Sequence, residues 1–213
     1  MANNTAMYGF RQFQGDSRGS VDIECFVADA ETIADDAAAA CDLSPGDPVK
    51  LVSTGSVNLA TTTNKVYGVV KAVLGVYDST NQTYGPSNRV PVATTGGGLS
   101  ERRTRVLVTL AKGAVWEVDV DENTTATTEA GYYAFLGENV EHVCVRAARY
   151  GAFAAFPRID ISGHATTAGL GWRIVGISKN AANKDFSGTG VKLLVMVNDS
   201  QEPSSPATNE AGV

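Results

Sequence analysis

The sequence predicts an all-β protein: an antiparallel β-sandwich or barrel with long loops, an extended N-terminal arm and at most short helices. Three observations predict it. Short segments of alternating apolar and polar residues recur along the chain. Turn signals built on Gly, Pro, Asn and Ser separate them. No long helices alternate with these segments, as a doubly wound α/β fold would require. The chain has 213 residues, enough to bury roughly 70% of the surface that the unfolded chain exposes. A core therefore needs neither disulfide nor metal, and one large β domain or two small ones would fit.

The elements follow in order. Residues 1–20 are polar, contain glycine and are dotted with Tyr8, Phe10 and Phe13. They read as an extended arm whose aromatic residues either anchor on a partner or neighbouring subunit, or fold back on the chain's own core. Val21 to Ala28 sets Val21, Ile23, Cys25 and Val27 against Asp22, Glu24 and Phe26, the pattern of a half-buried strand. The Ala-rich run from Asp35 to Cys41 has helix propensity for a turn or two, too little for a stable helix alone.

Leu43 to Val73 organises the rest. Ser44-Pro45-Gly46-Asp47 is a turn, with Pro fixing φ and Gly permitting a positive one. A strand carrying Val49 and Leu51 on one face and Lys50 and Val52 on the other follows it. After a Thr-, Ser- and Asn-rich connection comes a second strand, Lys65 to Val73. Gly68 interrupts it and marks a bulge, a bend or a close backbone approach.

Downstream, Tyr77 to Pro91 is rich in turns, and Gly96, Gly97 and Gly98 make a flexible loop. Thr104 to Leu110 and Ala114 to Val120 form a hairpin through Ala111-Lys112-Gly113. Glu122 to Ala130 is a polar loop, followed by strands at Gly131 to Leu136 and His142 to Arg149. Pro157 argues against a central strand position within Gly151 to Ile161. Trp172 to Ser178 and Val191 to Asn198 are the closing strands. The implied organisation is an arm (1–20), a β-rich domain (21–198) that could divide into two subdomains near 121–130, and a loosely held tail (199–213). Lys65–Lys71 also echoes Arg173–Lys179, each followed by a strand led by Arg or Lys, which reads either as a duplication or as the common look of Val-Gly-Val strands.

Charge and cysteine content exclude several functions. The net charge is −6, which argues against a nucleic-acid partner, since displacing phosphate counterions needs a basic surface. Arg102, Arg103 and Arg105 are the only basic cluster, either a contact for a carboxylate surface or a solvated loop end. Cys25, Cys41 and Cys144 are scattered, with no CxxC pair to suggest zinc or dithiol chemistry. Cys144 reads as a small buried hydrophobe, and a reducing cytoplasm suits the folding of such a chain. The N-terminus has no basic leader with an apolar run, so no signal peptide is expected. No stretch approaches the roughly 18 apolar residues of a membrane span, and no membrane partner is expected.

Candidate chemistry is sparse. Asp119, Asp121 and Asn123 begin like a calcium loop, but Thr124 stands where glycine is needed and Ala130 where the closing acid should be. His142 and His164 are the only histidines, and neither accompanies a nucleophile elbow. The triple-glycine loop lacks the Gly-Lys-Ser/Thr of a phosphate-binding loop. Asp119 and Asp121 share a strand face, so a β-fold glycan hydrolase is one alternative reading. Neither a cofactor nor a metal is expected, and a non-enzymatic role is favoured. Trp116 and Trp172 are either core residues or interface anchors.

At Leu43 to Val73, the run of a strand carrying PGDPVKL, a Thr-rich connection and VYGVVKA resembles capsid decoration (cement) proteins of tailed bacteriophages. The closing pair, WRIVGIS and VKLLVMVN, is similar in style. The resemblance covers about a third of the chain. It implies a β-rich structural virion protein, made in the host cytoplasm, that sits on the outer face of an assembled shell. Its partners would be the major capsid protein and further copies of itself, as a homotrimer or homodimer. It would tie neighbouring capsomers together through repeated weak contacts. The expected contact residues are Tyr8, Phe10 and Phe13 of the arm, and Arg102, Arg103 and Arg105 with the glycine loop before them. Another virion component, such as a fibre base or tail protein, is the alternative within the same class.

Overall fold

The computed structural model describes residues 9–14, 21–27, 43–52, 55–62, 64–78, 83–85, 104–121, 126–144, 156–166, 169–180, 183–187 and 190–201. Tyr8, the Ala-rich run, the triple-glycine loop, Arg102 and Arg103 lie outside them. The elements are β1 (Arg11–Gln14), β2 (Asp22–Phe26), β3 (Pro48–Leu51), β4 (Val57–Leu59), β5 (Gly68–Asp78), β6 (Thr83–Gly85), β7 (Arg105–Leu110), β8 (Val115–Asp119), α1 (Glu129–Tyr133), β9 (Asn139–Val143), β10 (Arg158–Ala165), β11 (Trp172–Ile177) and β12 (Lys192–Val197). The protein is all-β, with one short helix and two antiparallel sheets among the described residues.

One sheet runs β2-β7-β5-β3-β4, with β6 hooked onto β5; the other runs β1-β8-β12-β11-β9-β10. Each bends round on itself. A parallel bridge from Val27 to Val57 joins the end of β2 to β4, and one from Val120 to Ile159 joins the end of β8 to β10. Two small barrels result: β2, β7, β5, β3, β4 and, in the same order, β8, β12, β11, β9, β10.

The two barrels match residue for residue. The pairs from Asp22↔Thr109 to Phe26↔Arg105 in the first correspond to Val115↔Met196 through Asp119↔Lys192 in the second. Val70↔Val108 followed by Ala72↔Leu107 matches Ile174↔Val195 followed by Gly176↔Leu194, so even the β-bulge falls at the same place. The entry turns agree too. Gly46 N and Val70 N bond to Val70 O and Asp47 O; Gly137 N and Ile174 N bond to Ile174 O and Glu138 O. Gly46 and Gly137 both have positive φ, 92° and 87°, a conformation that glycine adopts without steric cost.

The chain is an internal structural duplication. The echo in the sequence chose the right strands, β5 and β11, but slipped by four residues. It set Gly68 against Gly176, whereas the ladders set Gly68 (opposite Leu110) against Trp172 (opposite Val197).

The same inward positions fill each barrel. Val27, Val49, Val57, Val70, Val106 and Val108 are buried in the first, and their counterparts Val120, Val140, Ile159, Ile174, Leu193 and Val195 in the second. Gly68 marks a close approach: a Cβ there would lie 2.4 Å from Val108 Cγ1 and 2.6 Å from Thr109 O. The register shifts fall farther along β5, between Val70 and Ala72 and again between Val73 and Gly75.

The barrels are joined firmly. The chain passes between the sheets at Ala111–Ala114, upstream of the 121–130 loop. Phe10 lies in the seam, stacked on Trp172 at 4.2 Å between ring centres and edge-on to His142. His142 Nε2 donates to Ala60 O across the seam (2.9 Å), and its Nδ1 accepts from Trp172 Nε1 (3.2 Å). Beyond β12, Ser200 bridges Val66, Lys65 meets Asp199 at 3.3 Å, and Gln201 bonds both backbone groups of Leu51. The first residues of the tail are thus fixed on the first barrel.

Two expectations change. Gly131 to Leu136 is no strand: Glu129–Tyr133 is helical, capped by Thr128, whose hydroxyl accepts from Gly131 N at 3.1 Å. Short strands the sequence does not suggest, β1, β4 and β6, appear because the ladder, not side-chain alternation, holds them.

Candidate functional site

Duplication allows the outer face of one barrel to be read against the other. On the second barrel, Glu117, Asp119, Ser178 and Lys192 form a buried polar network. Asp119 and Lys192 pair at 3.2 Å, with both side chains 6% exposed. Glu117 accepts from Ser178 Oγ on one oxygen and from Arg11 on the other, the latter at 2.5 Å. Asn183 closes the network: its amide donates to Ser178 O (2.9 Å) and Lys192 O (3.0 Å), and its oxygen accepts from Lys192 N (3.0 Å). The chain following β11 thus folds over this face.

The equivalent positions on the first barrel are Glu24, Phe26, Leu74 and Arg105. Among the described residues this surface is open. Phe26 is 45% exposed and Leu74 44%. Glu24 accepts from Arg105 at 2.8 Å, on the surface. Lys71 adds a second ion pair with Asp22 (2.5 Å), whose other oxygen accepts from Thr109. Hydrogen bonds from Lys71 and then Thr109 hold the Asp22 carboxyl below its usual pKa. Burial, and then the charge of Glu24, push the Cys25 thiol up, away from the reactive thiolate. The result is a mixed patch: two apolar side chains among ion pairs.

The residues singled out from the sequence separate in space. Phe10 is 3% exposed and belongs to the seam, so at that residue the arm folds back on its own core. Phe13, at the bulge of β1, is 53% exposed. Arg105 is part of the open patch through Glu24. Tyr8, Arg102 and Arg103 fall outside the described residues. Phe26 and Leu74 are missed by the sequence reading, although Phe26 stands among the polar alternates of its strand. Trp116 and Trp172 are core residues, at 2% and 0% exposure.

Asp119, His142 and His164, weighed as catalytic candidates from the sequence, each have partners within the fold. Asp119 is buried against Lys192, whereas Asp121 is partly exposed. His142 is buried with both nitrogens bonded, and His164 pairs with Glu138. A depression of about 560 Å³ beside α1 is lined by Thr127, Glu129, Lys184, Asp185 and Phe186. At its rim Glu129 is drawn to Lys179 at 2.5 Å, which lowers the glutamate pKa and raises that of the lysine. A second hollow, of about 350 Å³, follows the seam between Arg11, Gly46, Lys71 and Trp116. Among the described residues no group of His, Cys, Asp or Glu could hold a metal ion, and no helix is long and apolar enough to cross a membrane. Comparison with protein-family models, with curated proteins and with solved structures returned no match.

Proposed function

We propose that the protein is a non-enzymatic structural component of a tailed-phage virion, a decoration protein that binds the outer face of the capsid shell across capsomer junctions. The observation that carries this reading is the open patch of Glu24, Phe26, Leu74 and Arg105, whose counterpart on the second barrel is sealed by the chain itself. An aromatic and an aliphatic side chain ringed by charges suit a docking surface of modest affinity. Repetition over a symmetric shell multiplies such contacts. The firmly joined barrels suit a clamp, because a stiff body carries load between the subunits it touches. The resemblance of the segment from Leu43 to Val73 supplies the choice of target.

Sedimentation of the full chain, alone and with empty shells of the parent phage, tests the reading. Co-sedimentation at a fixed ratio per capsomer is expected, and a chain that stays in the supernatant would remove the proposal. Negative-stain images of a tagged copy separate a shell position from one at the tail or fibre base.

A further inference from the structure

We infer that the outer edge of β2 is a strand-accepting site for an extended segment of another polypeptide, one that places an arginine or lysine opposite Glu24. This goes beyond the capsid reading, because it fixes the form of the partner whatever assembly that partner belongs to.

The second barrel supplies the template. Val120 N bonds to Val191 O on the β12 side, whereas Asp121 N bonds to Ile159 O on the other. Odd-numbered residues of β8 therefore turn their backbone groups away from β12. β1 pairs along that edge, with Arg11 opposite Glu117 and their side chains 2.5 Å apart.

In the first barrel, Val21 O accepts from Leu110 N and Val27 N donates to Thr104 O, each at 2.9 Å. Odd-numbered residues of β2 thus face β7, and Asp22, Glu24 and Phe26 turn their backbone groups outward. Among the described residues β2 is the end of its sheet, joined on that side only through Val27 to Val57. Glu24 is the counterpart of Glu117, and its edge position is where Arg11 sits in the second barrel. Glu117 divides its oxygens between Arg11 and Ser178; Glu24 gives one oxygen to Arg105. An incoming guanidinium or ammonium repeats the arrangement. Main-chain bonds to the outward groups would supply affinity, and the charge would supply register.

Charge also decides against a second copy pairing β2 to β2. Antiparallel pairing centred on Glu24 sets Glu24 against Glu24 and Asp22 against Phe26. Like charges directly opposite destabilise a pair and protect an edge from its own kind.

The probe is the chain's own strand, a capped peptide of residues 9–14 (GFRQFQ), added to the isotope-labelled full chain. The readout is amide hydrogen exchange by NMR. We expect roughly tenfold slower exchange at Asp22 and Glu24, the counterparts of Val115 and Glu117 where β1 pairs, as main-chain pairing to an edge requires. A peptide with Glu in place of the arginine should lose the effect. Glu24→Lys, which keeps the backbone intact, should weaken the arginine peptide and accept the glutamate one. Glu24→Pro should abolish protection at Asp22, because it removes an outward N–H without touching the β7 ladder. Unchanged exchange at Asp22 and Glu24, protection confined to Val115 and Glu117, or indifference to both variants would overturn the inference. Failure to bind shells would leave it standing.

Discussion

Glu24 and Glu117 occupy the same ladder position, one in each barrel, yet the side chain of Glu24 is 50% exposed and that of Glu117 is 6% exposed. A single architecture, used twice, has been closed by its own chain on one copy and, among the described residues, left open on the other. Core positions stay alike because each barrel must be filled. Outer positions diverge because only one of them is covered.

Phe10 should matter to stability far more than Phe13. Phe10 is buried and stacked on Trp172, so Phe10→Ala should cost about 3 kcal/mol or more in urea unfolding. Phe13 is 53% exposed, and Phe13→Ala should stay within about 0.5 kcal/mol of the parent. Equal effects would show that the arm does not seat on the seam.

Lys192 and Asp119 should couple strongly. Lys192→Met leaves Asp119 buried without its counter-charge and should cost about 3–5 kcal/mol. Asp119→Leu combined with Lys192→Met should recover most of the loss, since both charges then leave together. Simple additivity in a double-mutant cycle would contradict the pairing.

Gly68→Ala should be costly and Gly169→Ala should not. A Cβ at Gly68 would press on Val108 and on the carbonyl of Thr109, whereas nothing lies within 4 Å of one at Gly169. Overpacking of this kind costs about 1–3 kcal/mol. Thermal unfolding of the two variants compares them directly.

Stability should carry a small acid-side dependence from Asp22. Its folded-state pKa lies below the unfolded value because Lys71 and Thr109 bond to the carboxylate. A depressed pKa contributes stability above the unfolded value of 3.8, lost as pH falls through the folded value. Asp22→Asn should therefore cost up to about 1 kcal/mol at neutral pH, as an exposed pair does. The difference from the parent should vanish once the carboxyl is protonated. Urea titrations at neutral and acid pH check both.

Much of the fold was legible because strand alternation follows directly from a barrel with one wet face. Ile23 and Cys25 point inward against Asp22 and Glu24, and Trp172 to Ile177 is a strand as its pattern requires. The helix at Glu129–Tyr133 was hard to read because a single turn repeats no period; the i, i+3 spacing of Tyr132 and Phe135 and the Thr128 cap were the signals that could have found it. Strand β4 was hidden by its polar neighbours, because its place depends on pairing with β3. The duplication left only a faint mark: core positions tolerate exchange among Val, Ile and Leu, so register survives while identity fades. The open patch was invisible for a related reason. Phe26 looks like any solvent-side residue until Asp119, its counterpart, is found buried.

Binding to purified empty shells by the parent chain and by Phe26→Ser combined with Leu74→Ser tests the central claim most directly. The parent is expected to saturate at a fixed ratio per capsomer. The double variant, with both exposed side chains truncated and the core untouched, is expected to bind at least about tenfold more weakly, as loss of central anchors does. Equal binding by the two chains, or none by either, would contradict the account.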